Sequence, residues 1–145
     1  KLPTAGSPWR RSVYLFQRRV YHLTMQGVFD QPTIAGSVCR RNASAVALQS
    51  LSMLNDGLAL EQAEQFAHRV WQQARRSSAD RIRLAFRIAL TRPPDEQEAR
   101  WSAELLQQHA KRYRQSGSTN DEAGRKALMH QCRVLFNSSA FLYVE

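Results

Sequence analysis

Apolar side chains recur along most of this chain at intervals of three and four, the signature of helices that bury one face. Val13, Phe16, Val20 and Leu23 fall on one face of a first helix, with Arg10, Arg11, Arg18 and Arg19 lining much of the opposite side. Ahead of it, residues 1–8 carry Pro, Gly and Ser without periodicity and read as an extended arm. From Met25 to Asn42 the pattern is lost, and Gly27, Pro32 and Gly36 punctuate what reads as a long ordered loop over 25–43. Loops of that length are uncommon in compact domains and tend to be functional or held down by neighbours.

Regular helices follow. Ser44 suits the N-cap of a central helix whose Ala47, Leu48, Leu51 and Leu54 share a face, and Asn55-Asp56-Gly57 closes it, with Asp56 placed to cap the next helix. That helix has Ala59, Ala63, Phe66, Ala67, Val70 and Trp71 at helical spacing, and its small residues predict close approach to the central helix. Ser77 with Asp80 opens another, with Ile82, Ala85, Phe86 and Ala89 inward; Leu84, Ile88 and Leu90 widen the stripe and predict the most buried helix. Arg81, Arg83 and Arg87 must then reach the edge over their neighbours.

Pro93-Pro94 stops that helix, since proline removes donors and pushes the preceding residue out of the helical region. Asp95 with Glu98 starts an outer helix facing inward through Trp101, Leu105, Ala110 and Tyr113. After a polar turn at 117–120, a last helix carries Leu128, Cys132, Leu135 and Phe136 on one side, and Phe141-Leu142-Tyr143 reads as a docking tail. No segment alternates as a strand does. The expectation is an all-α, irregular bundle of about six helices forming a single domain over 1–145.

Composition changes this picture in one respect. A hydrophobic share of 43% over 145 residues suffices for a core without a metal or disulfide staple, and no apolar run approaches the roughly 18 residues of a membrane span. The charge is less ordinary. Twenty-one basic residues, mostly arginine, face 12 acidic ones, giving +9, a balance that favours acidic partners.

Candidate chemistry is sparse. Cys39 and Cys132 form no CxxC or Cys/His cluster, so a zinc site or covalent haem within this chain is not indicated. In an oxidising compartment the two can bridge the central stretch to the last helix; otherwise Cys132 reads as a small buried residue. His22, His68, His109 and His130 sit on separate segments with no HExxH and no i,i+4 ligand pair, so no metal site is expected. There is no GxSxG elbow and no Gly-rich phosphate loop. Asp30, beside Phe29, has no second acid with which to share acid/base work, and a structural role is expected, either pairing with Arg40 or Arg41 or capping a turn through its own backbone. Trp9-Arg10-Arg11 is an aromatic and basic cluster at a domain edge, able to stack on a partner or to close the arm onto the bundle.

Read together, Arg10 to Phe16, Phe29-Asp30, Cys39-Arg40-Arg41, Leu48 to Leu51 and Leu54-Asn55-Asp56 resemble the domain of unknown function 1553. Ile82 to Arg87, Arg92-Pro93-Pro94, Leu135-Phe136-Asn137 and Phe141 to Val144 resemble its later blocks. The likeness covers the C-terminal part of the family domain, and Ala45-Val46 and Ala140 depart from its pattern. That domain is abundant in Planctomycetes and is often found in long secreted proteins with a cytochrome c domain. The resemblance therefore implies a periplasmic or extracellular setting, haem c elsewhere in a longer polypeptide, and no established catalytic residues. It also places Cys39 and Cys132 in an oxidising compartment, which favours the bridge.

The expected function is a non-catalytic binding or scaffolding module at the C-terminal end of a longer exported protein. Arg10, Arg11, Asp30, Arg40, Arg41 and Asn55 are the candidate binding residues. The partner is the rest of that polypeptide, or an assembly with an acidic surface. Two other readings stand beside it: an accessory part of an extracytoplasmic redox or polysaccharide-processing enzyme, and a polyanion-binding domain, with nucleic acid the least favoured partner.

Overall fold

The computed structural model describes residues 24–31, 39, 47–74 and 77–143. Among them are seven helices and no strand: α1 (Thr24–Val28), α2 (Ala47–Asn55), α3 (Gly57–Gln73), α4 (Ser78–Leu90), α5 (Glu96–Gln115), α6 (Asn120–Phe136) and α7 (Ser139–Leu142). The all-α reading holds. The chain divides into two compact units, Lys1–Gln49 and Ser50–Glu145. The extended arm, the helix built on Val13 and Phe16, and the cap at Ser44 lie outside the described residues.

In the first unit, the loop expected from residue 25 opens as the short helix α1. Its end turns back through Phe29 and Gln31, whose amides both donate to the Gln26 carbonyl, and Asp30 adopts φ 56°. Aspartate tolerates that left-handed conformation better than most side chains, so the turn needs no glycine. Gln49 is buried and its Nε2 donates to the Val28 carbonyl at 3.1 Å, satisfying an acceptor that a helix end leaves without an internal partner.

This contact helps decide which face of α2 is buried. Gln49 and Met53, four residues apart, are covered, whereas Leu48 and Leu51 are each 55% exposed. The inward stripe expected at Leu48 and Leu51 is corrected to Gln49 and Met53. Both sets have helical spacing, and the polar one wins because its amide has a carbonyl to meet.

The second unit holds a core built from α3, α4 and α6: Ala63, Phe66, Ala67, Val70, Ile82, Ala85, Phe86, Leu128, Cys132 and Leu135. Its helices start where local chemistry says they should. The Asp56 carboxylate accepts from Leu58 N at 2.9 Å, and Ser77 Oγ accepts from Asp80 N at 3.1 Å. Asp95 and Glu98 complete a reciprocal capping box, with Arg92 donating to both Glu98 oxygens at 2.7 Å. Thr119 and Glu122 form a second box at the head of α6. Each supplies acceptors for amides that the first helical turn cannot pair.

Three packing expectations change. The small residues of α3 approach α6, not α2. The most buried helix is α6, not α4, because α6 runs along both α5 and α3 and buries Ala123, Ala127, Leu128, Gln131, Cys132 and Leu135. Trp101 points outward at 61% exposure, and α5 meets α6 through a face that includes buried Ser102 and half-buried Leu106, His109 and Tyr113. At the C-terminal end, Phe141 stacks obliquely on Phe136, 4.9 Å between centroids, which in turn stacks on Phe66 at 5.5 Å, so the tail docks by one ring while Tyr143 stays exposed.

Candidate functional site

The candidate residues named from sequence divide between described and undescribed positions. Arg10, Arg11, Arg40 and Arg41 lie outside the described residues. Asp30 is half-buried in the turn after α1. Asn55 is exposed at the end of α2, its Nδ2 donating to the Leu51 carbonyl at 3.1 Å, which makes it a helix-terminating group. Cys39 is exposed and Cys132 fully buried, each a free thiol, and burial pushes the Cys132 thiol up to about 12. A thiol held protonated in this way is a poor nucleophile.

Two arrangements in the second unit were not evident from sequence. The first lies between α5 and α6, where the His109 and His130 rings stack with centroids 4.3 Å apart and the Tyr113 hydroxyl sits 2.7 Å from His130 Nε2. The Tyr113 and His130 rings are also roughly parallel at 5.9 Å, and Lys126 Nζ stands 5.4 Å from the phenol ring. His109 and Tyr113 share a helix face at i and i+4, a visible signal, but their partner is 17 residues beyond Tyr113 and no local pattern points to it. Among the described residues no group of three or more His, Cys, Asp or Glu side chains is placed to hold a metal ion.

Burial, then the charge of Arg112, holds the His109 pKa below its ordinary value; burial, then His109 and Arg133, does the same for His130. Both imidazoles are therefore favoured neutral in the fold, and the unfolded chain binds protons more readily. Stability from this stack is complete above the ordinary histidine value of about 6.5 and is lost as pH falls from there through the depressed folded values. The melting temperature is expected to drop across that interval and the drop to shrink in a His109→Gln/His130→Gln variant. Identical pH profiles for the two proteins would remove the stack as the cause.

The second arrangement centres on Trp71 at the end of α3. The Arg81 guanidinium lies over its indole, 3.5 Å from the ring centroid, and Arg81 Nε donates to the Ala74 carbonyl at 3.0 Å. The far edge of the indole rests on Gly124 of α6, where a Cβ would stand 2.7 Å from Cη2 and 2.9 Å from Cζ3. Only glycine leaves room for the ring at that separation. A cleft beside this indole, of about 240 Å³, is lined also by Leu106, Gln107 and Arg114 of α5. Burial lowers the Arg81 pKa and the Asp121 charge opposes that shift, yet Arg81 and Asp121 form no ion pair.

Among the described residues the one ion pair is Arg92 with Glu98, at 2.7 Å. A family model described as "Protein of unknown function (DUF1553)" matches residues 3–106, a span that includes Arg10, Arg11, Asp30, Arg40, Arg41 and Asn55 and ends within α5. No curated protein and no solved structure matches the chain.

Proposed function

From the premise that the chain belongs to the DUF1553 family of proteins of unknown function, we propose that it is a non-catalytic helical binding module whose N-terminal unit meets an acidic protein surface. The observation that carries this is where the charge sits. Residues 1–49 hold seven basic side chains against one acidic, while residues 50–145 hold 14 against 11. The larger share of the surplus thus belongs to the smaller compact unit, whose sequence includes Arg10, Arg11, Arg40 and Arg41. The helical bundle of the second unit is closer to balance and well capped, as suits a scaffold.

Arginine fits such a role because its planar fork meets a carboxylate through two hydrogen bonds and is weakly hydrated, so less is lost on contact. Opposite charge also steers encounter, which makes the association sensitive to salt. The setting we propose is an exported, longer polypeptide with haem c in another domain; it rests on the sequence resemblance, and intact mass measurement of natively isolated protein, with a haem-bearing longer chain expected, tests it.

The binding reading is tested with polyglutamate as probe, titrated at several salt concentrations. Neutralising Arg10, Arg11, Arg40 and Arg41 to Gln is expected to weaken binding by roughly an order of magnitude and flatten its salt dependence. Unchanged affinity, or an equal loss on neutralising exposed Arg83, Arg87, Arg100 and Arg112 of the second unit, overturns it.

A further inference from the structure

We propose that the cleft beside Trp71 is a binding site for a small organic carboxylate, held by the guanidinium groups of Arg81 and Arg114 with its apolar body against the α5–α6 floor. This goes beyond the reading above, concerns a different unit of the chain, and stands or falls separately from it.

The cleft has two kinds of wall. Leu106 and Leu128 with neighbouring alanines give it an apolar floor, while Arg81, Arg114, Gln107 and Ser78 give it a polar side. Ligand sites commonly combine these, an apolar majority for affinity with a few placed polar groups for orientation. At about 240 Å³ the space suits a single ring or a short chain bearing one head group.

The head group follows from the charges. Arg81 is half-buried, stacked on Trp71 and tethered through Nε to the Ala74 carbonyl, so its orientation is fixed before any ligand arrives. Neither Arg81 nor Arg114 has an ion pair among the described residues. The indole face and the Ala74 carbonyl offset part of the cost of drawing Arg81 out of water, but among the described residues no anion pairs with its charge. A carboxylate is the planar group that a guanidinium fork meets with two hydrogen bonds. A phosphate would satisfy the charge but not the apolar floor.

Two further residues tune the site. Gly124 lets the indole lie against α6, so the aromatic wall of the cleft depends on a missing side chain. Asp121 raises the Arg81 pKa across a distance too long for an ion pair, and so competes weakly with an incoming anion. Its carboxylate makes the charge reading testable in both directions, since removing it should favour the ligand and removing an arginine should not.

The experiment uses benzoate as the probe, titrated into the full chain while the Trp71 indole N–H and the Arg81 Nε–H resonances are followed. Saturable shifts at these two groups are expected, with benzamide, the neutral isostere, giving none. Arg114→Gln, an exposed substitution compatible with folding, should weaken benzoate on the order of tenfold. Asp121→Asn should tighten it several-fold. The proposal is overturned by absence of saturation, by benzamide shifting the same resonances, by inorganic phosphate displacing benzoate as effectively as a second carboxylate at matched ionic strength, or by both variants binding like the parent.

Discussion

Replacing Leu128 with Ala is expected to reduce the unfolding free energy by about 2–5 kcal/mol, the range for truncating a large aliphatic side chain in a core that cannot collapse around the gap. Leu128 is 1% exposed and belongs to the cluster where α3, α4 and α6 meet. The helices around it carry little slack, because alanines at 63, 67, 85, 123 and 127 already bring backbones close and leave no long side chain to swing into the space. A domain of this size holds about 5–15 kcal/mol in total, and each kcal/mol shifts its melting temperature by several degrees, so the change is visible in a simple thermal melt. Leu51→Ala serves as the contrast. Its side chain is as apolar as that of Leu128, but exposed, and the loss should stay within about 0.5 kcal/mol. Comparable losses at both positions would mean that Leu51 is buried and that Gln49 and Met53 do not form the covered face of α2.

That contrast also shows what was legible beforehand. Helix starts were, because a cap is a local event: Asp56, Ser77 and the Asp95–Glu98 box each act within three residues, and all three form. The Thr119–Glu122 box obeys the same spacing, but it is masked by the polar run at 117–120, whose composition reads as a turn alone. Faces were legible where one stripe was plainly more apolar, as in α3, and not where two stripes competed, as in α2. Trp101 misled for a related reason, since its spacing fits an inward face but the side chain that α5 buries there is Ser102. The candidate site fared differently again. The stacking of His109 on His130 and the approach of Trp71 to Gly124 depend on which helices become neighbours, and periodicity within one helix does not contain that information.

Ser102→Ala is expected to cost about 1–3 kcal/mol, more than its loss of one hydroxyl suggests. Gln131 is 3% exposed on α6, and its Nε2 donates to Ser102 Oγ at 2.9 Å across the α5–α6 interface. Without that oxygen the amide keeps its desolvation penalty and loses the bond that offset it. Water has little access to replace it, since Ser102 is itself only 4% exposed. Pairing Ser102→Ala with Gln131→Leu should recover much of the loss, because removing both partners leaves no orphaned donor. Urea titrations of the parent, both single variants and the double variant close the cycle. Strict additivity of the two single losses would mean that the bond contributes nothing as a pair.

The matched span, residues 3–106, stops halfway along α5, a helix that continues to Gln115. What lies past that point is no appendage: α6 provides Leu128, Cys132 and Leu135 to the core and is the principal neighbour of both α3 and α5. A polypeptide cut at the end of the matched span would keep the apolar faces of α3 and α4 and lose the helix that covers them. The stretch by which the family is recognised and the unit able to hold itself together are therefore two different segments of this chain, and the second reaches at least to Phe136.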